Sequence, residues 1–469
     1  MWIERENPAD PAQIVGSVPL TEPAAVNSVV RCAHEQFLDW SRRPLAERLT
    51  VLGEAADALA ERVPELAVLL ARETGKPVAD CRGEIGFAVT YLRWVCANAA
   101  EVLADSVLDD ALGRLEVGAA PFGVVLAITP WNAPIILSVL KLAPALAAGN
   151  AVVLKPSPLA PLTVQAVAEM LPRTTVVHGG SETALALIAH EAVRKVAFTG
   201  GETAGRSIAA AAGQALTPVL LELGGNDPAI FLDDFALTEG DYERLVLASF
   251  ATSGQVCMAA KRLYVPRERY TEFVDSYRAA AARILTVGDP TDEAVTMGPV
   301  VSRAAAERVE GLLADAVRRG GQVITLARAP AGDGYFLSPT VVLDLPDDAD
   351  LVRLEQFGPA LPVLTYDTVE EVVRRANDSE LGLGASVWSA DEERAFAVAS
   401  RVEAGFTFVN THNRTGMSLR APFGGIKNSG FGREYGAEGL REYVQSTVRH
   451  LPAAFRSGGV GSAANAYPS

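Results

Sequence analysis

Cys257 and Glu222 are the two residues whose types and surroundings most directly suggest chemistry. Cys257 follows a Ser-Gly pair in the stretch Ser253-Gly254-Gln255-Val256-Cys257, inside an otherwise apolar run. A cysteine in such a place is a candidate nucleophile, because its thiolate attacks electrophilic carbon. Glu222 lies upstream and is followed closely by Gly224-Gly225, where a carboxylate on a tight turn can act as a base. The pair therefore predicts a thioester that is formed and then hydrolysed.

Three other segments carry polar groups that can bind or stabilise a ligand. Pro130 and Pro134 fix the backbone around Asn132, whose amide can donate to an oxyanion or, equally well, cap the next helix. Lys155 ends a predicted strand, where open α/β sheets bind ligands, although a solvated surface lysine is the commoner case. Gly200-Gly201 precedes a helix start and can offer N–H groups to a phosphate, although a structural turn is the better interpretation of these residues alone. No GxGxxG follows any predicted strand.

The elements that must position these residues alternate between strands and helices. Residues 22–105 have helical periodicity, with Leu45, Leu49, Leu52, Ala56 and Leu59 at three- and four-residue steps. Short Val/Leu/Ile runs then alternate with helical segments up to Phe198. This order predicts βαβ units and a parallel sheet that is buried on both faces. A second α/β domain is expected after Cys257, and the Gly/Ser/Ala-rich tail 457–469 is expected to be flexible.

Composition narrows the class of protein. A chain of 469 residues is expected to form two or three domains. A hydrophobic content of 49% with 21% charged residues is typical of a soluble globular protein. The net charge of −16 argues against a nucleic-acid partner, which requires a basic surface.

The cysteines and the N-terminal residues indicate the cellular compartment in which the protein is expected. The four cysteines are scattered without CxxC or a His cluster, so neither a disulfide framework nor a metal site is predicted. Cys32, Cys81 and Cys96 are expected to be small buried residues in a reducing cytosol. No signal peptide is evident, and Pro130 and Pro134 interrupt the longest apolar run, so we expect a cytoplasmic protein with no membrane contact.

Seven motifs in order resemble the aldehyde dehydrogenase superfamily, from about Asn7 to His450. The motifs are Glu73-Thr74-Gly75-Lys76-Pro77, Pro130-Trp131-Asn132, Phe198-Thr199-Gly200, Leu221-Glu222-Leu223-Gly224-Gly225, Gly254-Gln255-Val256-Cys257, Glu355-Gln356-Phe357-Gly358-Pro359 and Pro422-Phe423-Gly424-Gly425-Ile426-Lys427-Asn428-Ser429-Gly430. One of them would be weak support, but their common order is specific. The resemblance implies oxidation of an aldehyde to the acid with NAD(P)+.

The resemblance also assigns catalytic roles to particular residues. Cys257 matches the nucleophile, and Asn132 with the Cys257 backbone N–H matches the oxyanion hole, which is worth ~3–4 kcal/mol per donor. Glu222 matches the base that activates water to hydrolyse the thioester. Lys141 and Glu434 match a proton path leading away from that glutamate.

The implied fold has a Rossmann-like cofactor domain (residues 1–105 and 122–224), an α/β catalytic domain (225–435) and a β-strand oligomerisation arm (106–121 and 436–456). The implied cofactor-binding residues are Thr129, Pro130, Trp131, Lys155, Ser157, Pro158, Gly180, Phe198, Gly200, Gly201, Leu223, Glu355 and Phe357. NAD-preferring relatives commonly carry a glutamate at the position of Pro158. Without that carboxylate, repulsion of a 2′-phosphate is lost, so the cofactor is expected to be NAD with room for NADP.

The expected substrate-binding residues are mostly apolar: Ala133, Leu137, Leu140, Ala251, Val256, Met258 and Met417. Because relatives often have aromatics at the positions of Ala133 and Ala251, a wide funnel for a bulky aromatic or medium-chain aldehyde is predicted. The alternative is a semialdehyde whose anionic end is held by an arginine of loop 412–420, either Arg414 or Arg420.

Three further expectations concern reaction type and assembly. An acylating enzyme that passes the thioester to coenzyme A is an alternative, but such relatives commonly lack the glutamate matched by Glu222. A non-catalytic protein on this fold is disfavoured because Cys257, Asn132 and Glu222 are all present. Val444, Val448 and Leu451 suit strand pairing with a partner subunit, so a homodimer or homotetramer is expected.

Overall fold

The computed structural model describes residues 1–456 of the chain. The tail predicted to be flexible, residues 457–469, lies outside the described residues. Within residues 1–456, three larger sheets and their covering helices form the framework, and two short two-stranded sheets accompany them. None of the helices in this part of the chain has the length and apolar character needed to cross a bilayer.

The N-terminal half begins with a hairpin and four helices and continues into strand–helix alternation. Its elements are β1 (Trp2–Asn7), β2 (Asp10–Pro19), α1 (Val26–Trp40), α2 (Leu45–Glu61), α3 (Val63–Thr74), α4 (Val78–Val102), β3 (Ser106–Asp110), β4 (Gly113–Pro121), β5 (Val124–Ile128), α5 (Pro134–Ala147), β6 (Ala151–Lys155), α6 (Pro161–Ala168), β7 (Thr174–Val176), α7 (Ser181–Ile188), β8 (Val193–Thr199), α8 (Glu202–Gln214) and β9 (Val219–Glu222).

The C-terminal half repeats the alternation and ends in a long strand. Its elements are β10 (Pro228–Phe231), α9 (Glu239–Phe250), β11 (Arg262–Pro266), α10 (Tyr270–Ile284), α11 (Arg303–Arg318), β12 (Gln322–Thr325), β13 (Thr340–Leu343), α12 (Asp350–Arg353), β14 (Ala360–Tyr366), α13 (Val369–Asn377), β15 (Leu381–Gly382), β16 (Gly384–Trp388), α14 (Glu392–Ala399), β17 (Phe406–Val409), β18 (Ile426–Lys427), β19 (Gly430–Phe431), α15 (Gly436–Arg441) and β20 (Val444–Pro452).

The first large sheet has the order β19-β9-β8-β5-β6-β7 and is parallel except for β19. Strands β5 and β6 are buried along their whole length, because helices cover both faces of the sheet. The register pairs Ile128 with both Lys155 and Phe198, and Thr199 with Glu222. Lys155 and Glu222 therefore lie along one edge of this sheet, at the carboxyl ends of their strands.

The second large sheet has the order β12-β13-β14-β11-β10-β16-β17, and only β12 runs antiparallel to its neighbour. Its central strands β10, β11 and β16 are fully buried. The segment containing Cys257 connects α9 to β11. The two sheets are joined where β19 returns to pair with β9, so that Gly430 lies opposite Glu222.

The third sheet is antiparallel, with β4 between β20 and β3. Its outer strands are largely exposed, and several of their exposed side chains are apolar: Val107, Leu108, Val448 and Leu451. These strands fall in the ranges predicted for an oligomerisation arm, and here β20 pairs with β4 of the same chain.

The predicted α/β class with parallel sheets is confirmed. The boundaries of the predicted cofactor and catalytic domains remain a prediction. The expectation that three cysteines are buried is wrong for Cys32, which is exposed on α1; Cys81 is buried and Cys96 is half-buried.

Candidate active site

A strained turn presents Cys257. Helix α9 ends at Phe250, and then Thr252 (φ 55°) and Ser253 (φ 58°) adopt left-handed backbone conformations, followed by Gly254 (φ 71°). Such conformations cost free energy in residues with a Cβ and persist only when the surroundings hold them. Here Ser253 Oγ donates to Gly298 O at 2.8 Å, and Thr252 N donates to Asp80 Oδ2 at 3.2 Å. The turn is therefore fixed from two sides before the chain reaches Cys257.

Gly254 and Gln255 complete this turn. A Cβ on Gly254 would lie 2.5 Å from Gly358 O, so the close approach of the backbones requires glycine. The side chain of Gln255 is buried, accepts from Val301 N at 3.0 Å and donates to Thr252 O at 3.1 Å. The nucleophile candidate thus sits on backbone that several distant segments hold in place.

Cys257 lines a cavity of about 460 Å³ between α4, α5 and the 412–420 loop. The sequence-predicted members of its lining are Asn132, Ala133, Leu137, Val256, Met258, Met417 and Arg414. Leu140 and Ala251 are buried but are not part of this lining, and neither is Arg420. The remaining lining residues were not predicted: Lys76, Ala79, Asp80, Gly83, Glu84, Phe87, Ile136, Thr252, Thr415 and Tyr435.

Helix α4 supplies many of those unpredicted residues. Ala79, Gly83 and Phe87 follow a helical four-residue spacing, which brings their side chains to one face. That spacing is visible in the sequence, but it is equally typical of a helix that packs on a core. The large rings of Phe87 and Tyr435 line the same cavity as Ala133.

The Asn132 side chain faces the nucleophile loop, donating from Nδ2 to Gln255 O at 3.0 Å. A buried ion pair holds the backbone behind it. Lys76 Nζ donates to Asn132 O at 2.9 Å and pairs with Glu84. Glu84 Oε1 in turn accepts from Ile135 N at 2.8 Å, at the start of α5. Lys76 and Glu84 therefore fix both the loop and the first turn of the helix that follows it.

The Cys257 side chain is half-buried, and desolvation by the surrounding protein raises the pKa of its thiol to about 12. The positive charge of Lys261 acts in the opposite direction, while the carboxylates of Glu355, Asp227 and Glu222 add to the increase in the pKa. Because the pKa of Cys257 is raised, its thiol form predominates near neutral pH.

Glu222 is buried at the end of β9, with its carboxylate directed toward the 424–434 segment. A Cβ on Gly424 would lie 2.8 Å from Glu222 Oε1, and among the described residues that oxygen has no hydrogen-bond partner. Burial, reinforced by the charge of Glu434, raises the pKa of Glu222 well above its usual range. The Glu222 carboxylate is not part of the lining of the Cys257 cavity.

Lys141 and Glu434 form an ion pair close to Glu222. Lys141 Nζ lies 2.5 Å from Glu434 Oε1 and donates to Thr199 Oγ1 at 2.6 Å. Both charged side chains are almost completely buried. The pair brings β8, α5 and the chain before α15 together beside the end of β9.

A cavity of about 330 Å³ lies at the carboxyl ends of β5, β6 and β8. Most of the predicted cofactor-binding residues line it: Thr129, Pro130, Trp131, Lys155, Ser157, Pro158, Gly180, Phe198, Gly200 and Gly201. Gly201 is the N-cap of α8, whose first N–H groups suit a phosphate. Lys155 Nζ donates to Gly179 O at 2.7 Å, and burial lowers its pKa to about 8. Among residues 1–456, no carboxylate lines this cavity.

An adjoining cavity of about 750 Å³ includes Trp131, Gly201, Glu355 and Phe357. The Trp131 and Phe357 rings pack edge to face, with their centroids 5.6 Å apart. Leu223 is in the lining of neither cavity; it is buried, and a Cβ on Gly205 would lie 2.5 Å from it. The two cavities share Trp131, Gly201 and Ala204, so they are continuous with each other.

A half-buried cysteine on a cavity wall, together with a second cavity at the carboxyl ends of parallel strands, is an arrangement that suits a nicotinamide-linked dehydrogenase. The sequence matches the model of the aldehyde dehydrogenase family over residues 1–448. The chain belongs to the aldehyde dehydrogenase family.

Individual relatives agree with this membership. The chain is 36% identical to a glutarate-semialdehyde dehydrogenase of Pseudomonas aeruginosa, covering 94% of this chain and 92% of the relative. It is 35% identical to an NADP(+) succinate-semialdehyde dehydrogenase of Escherichia coli, covering 94% and 93%. A crystal structure of a Mycobacterium tuberculosis aldehyde dehydrogenase with NAD+ superimposes with a TM-score of 0.90 at 35% identity, covering 97% and 96%. The protein is an NAD(P)+-dependent enzyme that oxidises an aldehyde to the carboxylic acid.

Proposed function

We propose that the aldehyde is oxidised on Cys257 and released by water. The thiolate adds to the carbonyl carbon, and the Asn132 side-chain N–H and the Cys257 backbone N–H donate to the resulting oxyanion. A bound NAD(P)+ would supply the oxidant for this carbon, as the acceptor of its hydride and electron pair. What remains on Cys257 is a thioester. The shared cavity wall of Cys257 and Asn132 supports this arrangement.

Glu222 is the proposed base for the second half-reaction. Its carboxylate takes a proton from water, the resulting hydroxide attacks the thioester carbon, and the Cys257 thiolate leaves as the acid forms. To do this the Glu222 side chain must rotate from the 424–434 segment toward the sulfur. The Lys141–Glu434 pair and Thr199, which lie close to the buried Glu222, then form a path for the proton. Because Glu222 is present, we favour hydrolysis over transfer to coenzyme A.

The cofactor is proposed to lie along the two cavities that share Trp131. Lys155 and Ser157 would bind the ribose nearer the adenine, the N-terminus of α8 the pyrophosphate, and Glu355 the nicotinamide ribose. Pro158 stands where a carboxylate would repel a 2′-phosphate. Since the described lining of that cavity carries no carboxylate, we propose that NADP+ is accepted as well as NAD+.

We propose a bulky apolar aldehyde as substrate, either aromatic or of medium chain length. One observation carries this proposal: the four charged residues lining the Cys257 cavity are paired with one another. Lys76 pairs with Glu84, and Arg414 Nη2 lies 3.0 Å from Asp80 Oδ1. The rest of the lining is dominated by Phe87, Ile136, Leu137 and methionines, which favour an apolar guest.

A semialdehyde with an anionic end is the alternative substrate, and the relatives support it better than the apolar aldehyde. Arg414 lines the cavity, and an arginine can bind a carboxylate through two parallel hydrogen bonds. The two relatives named above carry semialdehydes in their names. For this substrate, the carboxylate would have to displace Asp80 from Arg414.

A matched aldehyde panel distinguishes the two candidates. Hexanal, benzaldehyde and succinate and glutarate semialdehydes are compared by NADH and NADPH formation, with and without coenzyme A. For wild type we expect higher kcat/KM with the neutral aldehydes, with no requirement for coenzyme A. Arg414→Met should change those values less than about threefold, because Arg414 gives an apolar chain no specific contact.

The opposite pattern would support the second candidate. A loss of about tenfold or more in kcat/KM for the semialdehydes alone, in Arg414→Met, would identify Arg414 as their binding residue. Arg420→Met is the matched control, since Arg420 belongs to the same loop and does not line the cavity. Strict dependence on coenzyme A would replace the hydrolytic proposal by the acylating one.

We also propose that the exposed apolar strands β3 and β20 form a subunit interface in a homodimer or homotetramer. Apolar side chains on exposed strands, with unpaired backbone edges, suit contact with a second copy of the chain. The division into cofactor domain, catalytic domain and arm is proposed with the boundaries given above.

A further inference from the structure

Lys261 is a buried cation that the motifs do not include. It follows the Cys257 turn and directly precedes β11, and its side chain is only 3% exposed. A lysine is almost never fully buried unless its charge is paired and its three N–H donors are used. The contacts of this ammonium group therefore indicate what it does.

The Lys261 ammonium group binds three acceptors from three different segments. Nζ donates to Gly225 O at 2.8 Å, to Glu355 Oε1 at 2.9 Å and to Cys257 O. Gly225 belongs to the turn after Glu222, and Glu355 lines the larger cofactor cavity. One side chain thus connects the turn after the proposed base, the backbone of the proposed nucleophile and the proposed ribose carboxylate.

Two neighbours tighten this connection. Gly225 N also donates to Glu355 Oε1, at 3.1 Å, so the carboxylate is held by Lys261 and by the turn together. The Lys261 ammonium lies 5.8 Å from the centre of the Phe357 ring, a distance suited to a cation–π contact. Phe357 itself has a left-handed backbone (φ 49°) and meets Trp131 edge to face.

The charges around the sulfur give Lys261 a second effect. Without it, the Glu355 carboxylate would be an unneutralised negative charge beside Cys257, and like charges disfavour a thiolate. The positive charge of Lys261 lowers the pKa of the Cys257 thiol, against the increase that comes from burial and from Glu355. In a buried site such a charge acts strongly because solvent screens it little.

We propose that Lys261 is the positioning residue for this site: it anchors the Cys257 carbonyl, holds Glu355 in the cofactor cavity and neutralises Glu355 next to the sulfur. The inference rests on Cys257 being the nucleophile proposed above. It predicts that removing the ammonium group makes Cys257 less reactive and releases Glu355, even though Lys261 touches neither substrate nor the reacting atoms.

The test is the pH dependence of Cys257 alkylation by iodoacetamide, followed on the Cys257 peptide by mass spectrometry without aldehyde or cofactor. In Lys261→Met, which keeps the chain length and loses the charge, the alkylation rate near about pH 8 should fall about tenfold, with the inflection displaced to higher pH. Lys261→Arg should keep the wild-type profile to within about threefold. A Lys261→Met profile that superimposes on wild type, or moves to lower pH, overturns the proposal.

Lys195→Met is the matched control, because Lys195 is also buried, paired with Glu442 at 2.8 Å and 5.6 Å from the Phe122 ring. Lys195→Met should leave the pH profile of Cys257 alkylation unchanged. A displacement equal to that of Lys261→Met would show that the effect is not local and would overturn the proposal.

Glu355→Gln is the second variant, for the case that Lys261→Met does not fold. Because it leaves the charge of Lys261 unneutralised, the pH profile of Cys257 alkylation should move to lower pH, and an unchanged profile contradicts the proposal. Because alkylation needs no turnover, this outcome is separate from that of the proposed reaction.

Discussion

At the residue scale, the environment of Glu222 makes a prediction about pH. Burial and the neighbouring Glu434 raise the Glu222 pKa above its usual value. A base must be ionised, so thioester hydrolysis should be slow below the raised pKa and should increase as pH rises through it. Pre-steady-state measurement of thioester decay against pH checks this. An inflection at or below about pH 4.5, the range of an ordinary glutamate, would contradict the role given to Glu222.

The same environment affects stability in the opposite direction. A carboxyl whose pKa is higher in the folded than in the unfolded protein binds its proton more tightly when folded. Its contribution to the free energy of unfolding therefore decreases as pH rises from the unfolded pKa through the folded one. Ionisation of Glu222 for catalysis thus has a stability cost, which Glu222→Gln would remove.

Site residues could be predicted from the sequence where they lie in local motifs. Cys257, Asn132 and Glu222 stand beside the prolines and glycines of short recognisable segments. Lys261 and Asp80 carry no such signal, because their partners lie far away in the chain: Glu355 for one and Arg414 for the other. Contacts of this kind arise only from the tertiary fold.

At the scale of elements, the alternation of strands and helices could be predicted because most of the buried strands contain short apolar runs. The hairpin of β1 and β2 was missed, since its residues are mostly exposed and include charged side chains and prolines. Strands β9 and β10 were missed as strands because each has only four residues next to the Gly224-Gly225 turn. Short strands are defined by their neighbours in the sheet more than by their own composition.

The Lys76–Glu84 pair connects the start of α4 to the loop that carries Asn132, and this connection can be tested. Glu84→Gln keeps the side-chain volume but leaves the buried Lys76 without its counter-charge. Removing one partner of a buried pair typically costs about 3–5 kcal/mol of stability. If Asn132 donates to the oxyanion, kcat should also fall, by about tenfold, with a smaller change in KM.

Steady-state kinetics and thermal unfolding of this variant check the prediction. Asp57→Asn is the control, because it removes an exposed ion pair between Asp57 of α2 and Arg93 of α4 (2.7 Å), the helix that also carries Glu84. An unchanged kcat in Glu84→Gln, with reduced stability alone, would restrict the pair to a structural role.

At the scale of the whole molecule, the arm sheet predicts self-association. Val448→Asp combined with Leu108→Asp places charges on exposed strands of the arm, where both native side chains are apolar and exposed. The wild-type protein should have the mass of a dimer or tetramer in light scattering, and the double variant should dissociate toward the monomer. Leu216→Asp, at an exposed apolar side chain on the cofactor-sheet side, should leave the mass unchanged. A monomeric wild type would contradict the proposed interface.

The residues of the proposed reaction come from both large sheets. Cys257 follows a helix of the second sheet, Glu222 ends a strand of the first, and β19 pairs beside Glu222 after the chain has left the second sheet. The proposed reaction therefore has a fixed order, with oxidation on Cys257 first and hydrolysis through Glu222 second.

A rapid-mixing measurement of cofactor reduction tests this order. Glu222→Gln, mixed with NAD(P)+ and an accepted aldehyde, should produce one equivalent of reduced cofactor per active site and then stall. Mass spectrometry should show the acyl group on the Cys257 peptide, and Cys257→Ala should give neither burst nor turnover. Full steady-state turnover in Glu222→Gln, or turnover in Cys257→Ala comparable to wild type, would contradict the roles proposed for these two residues.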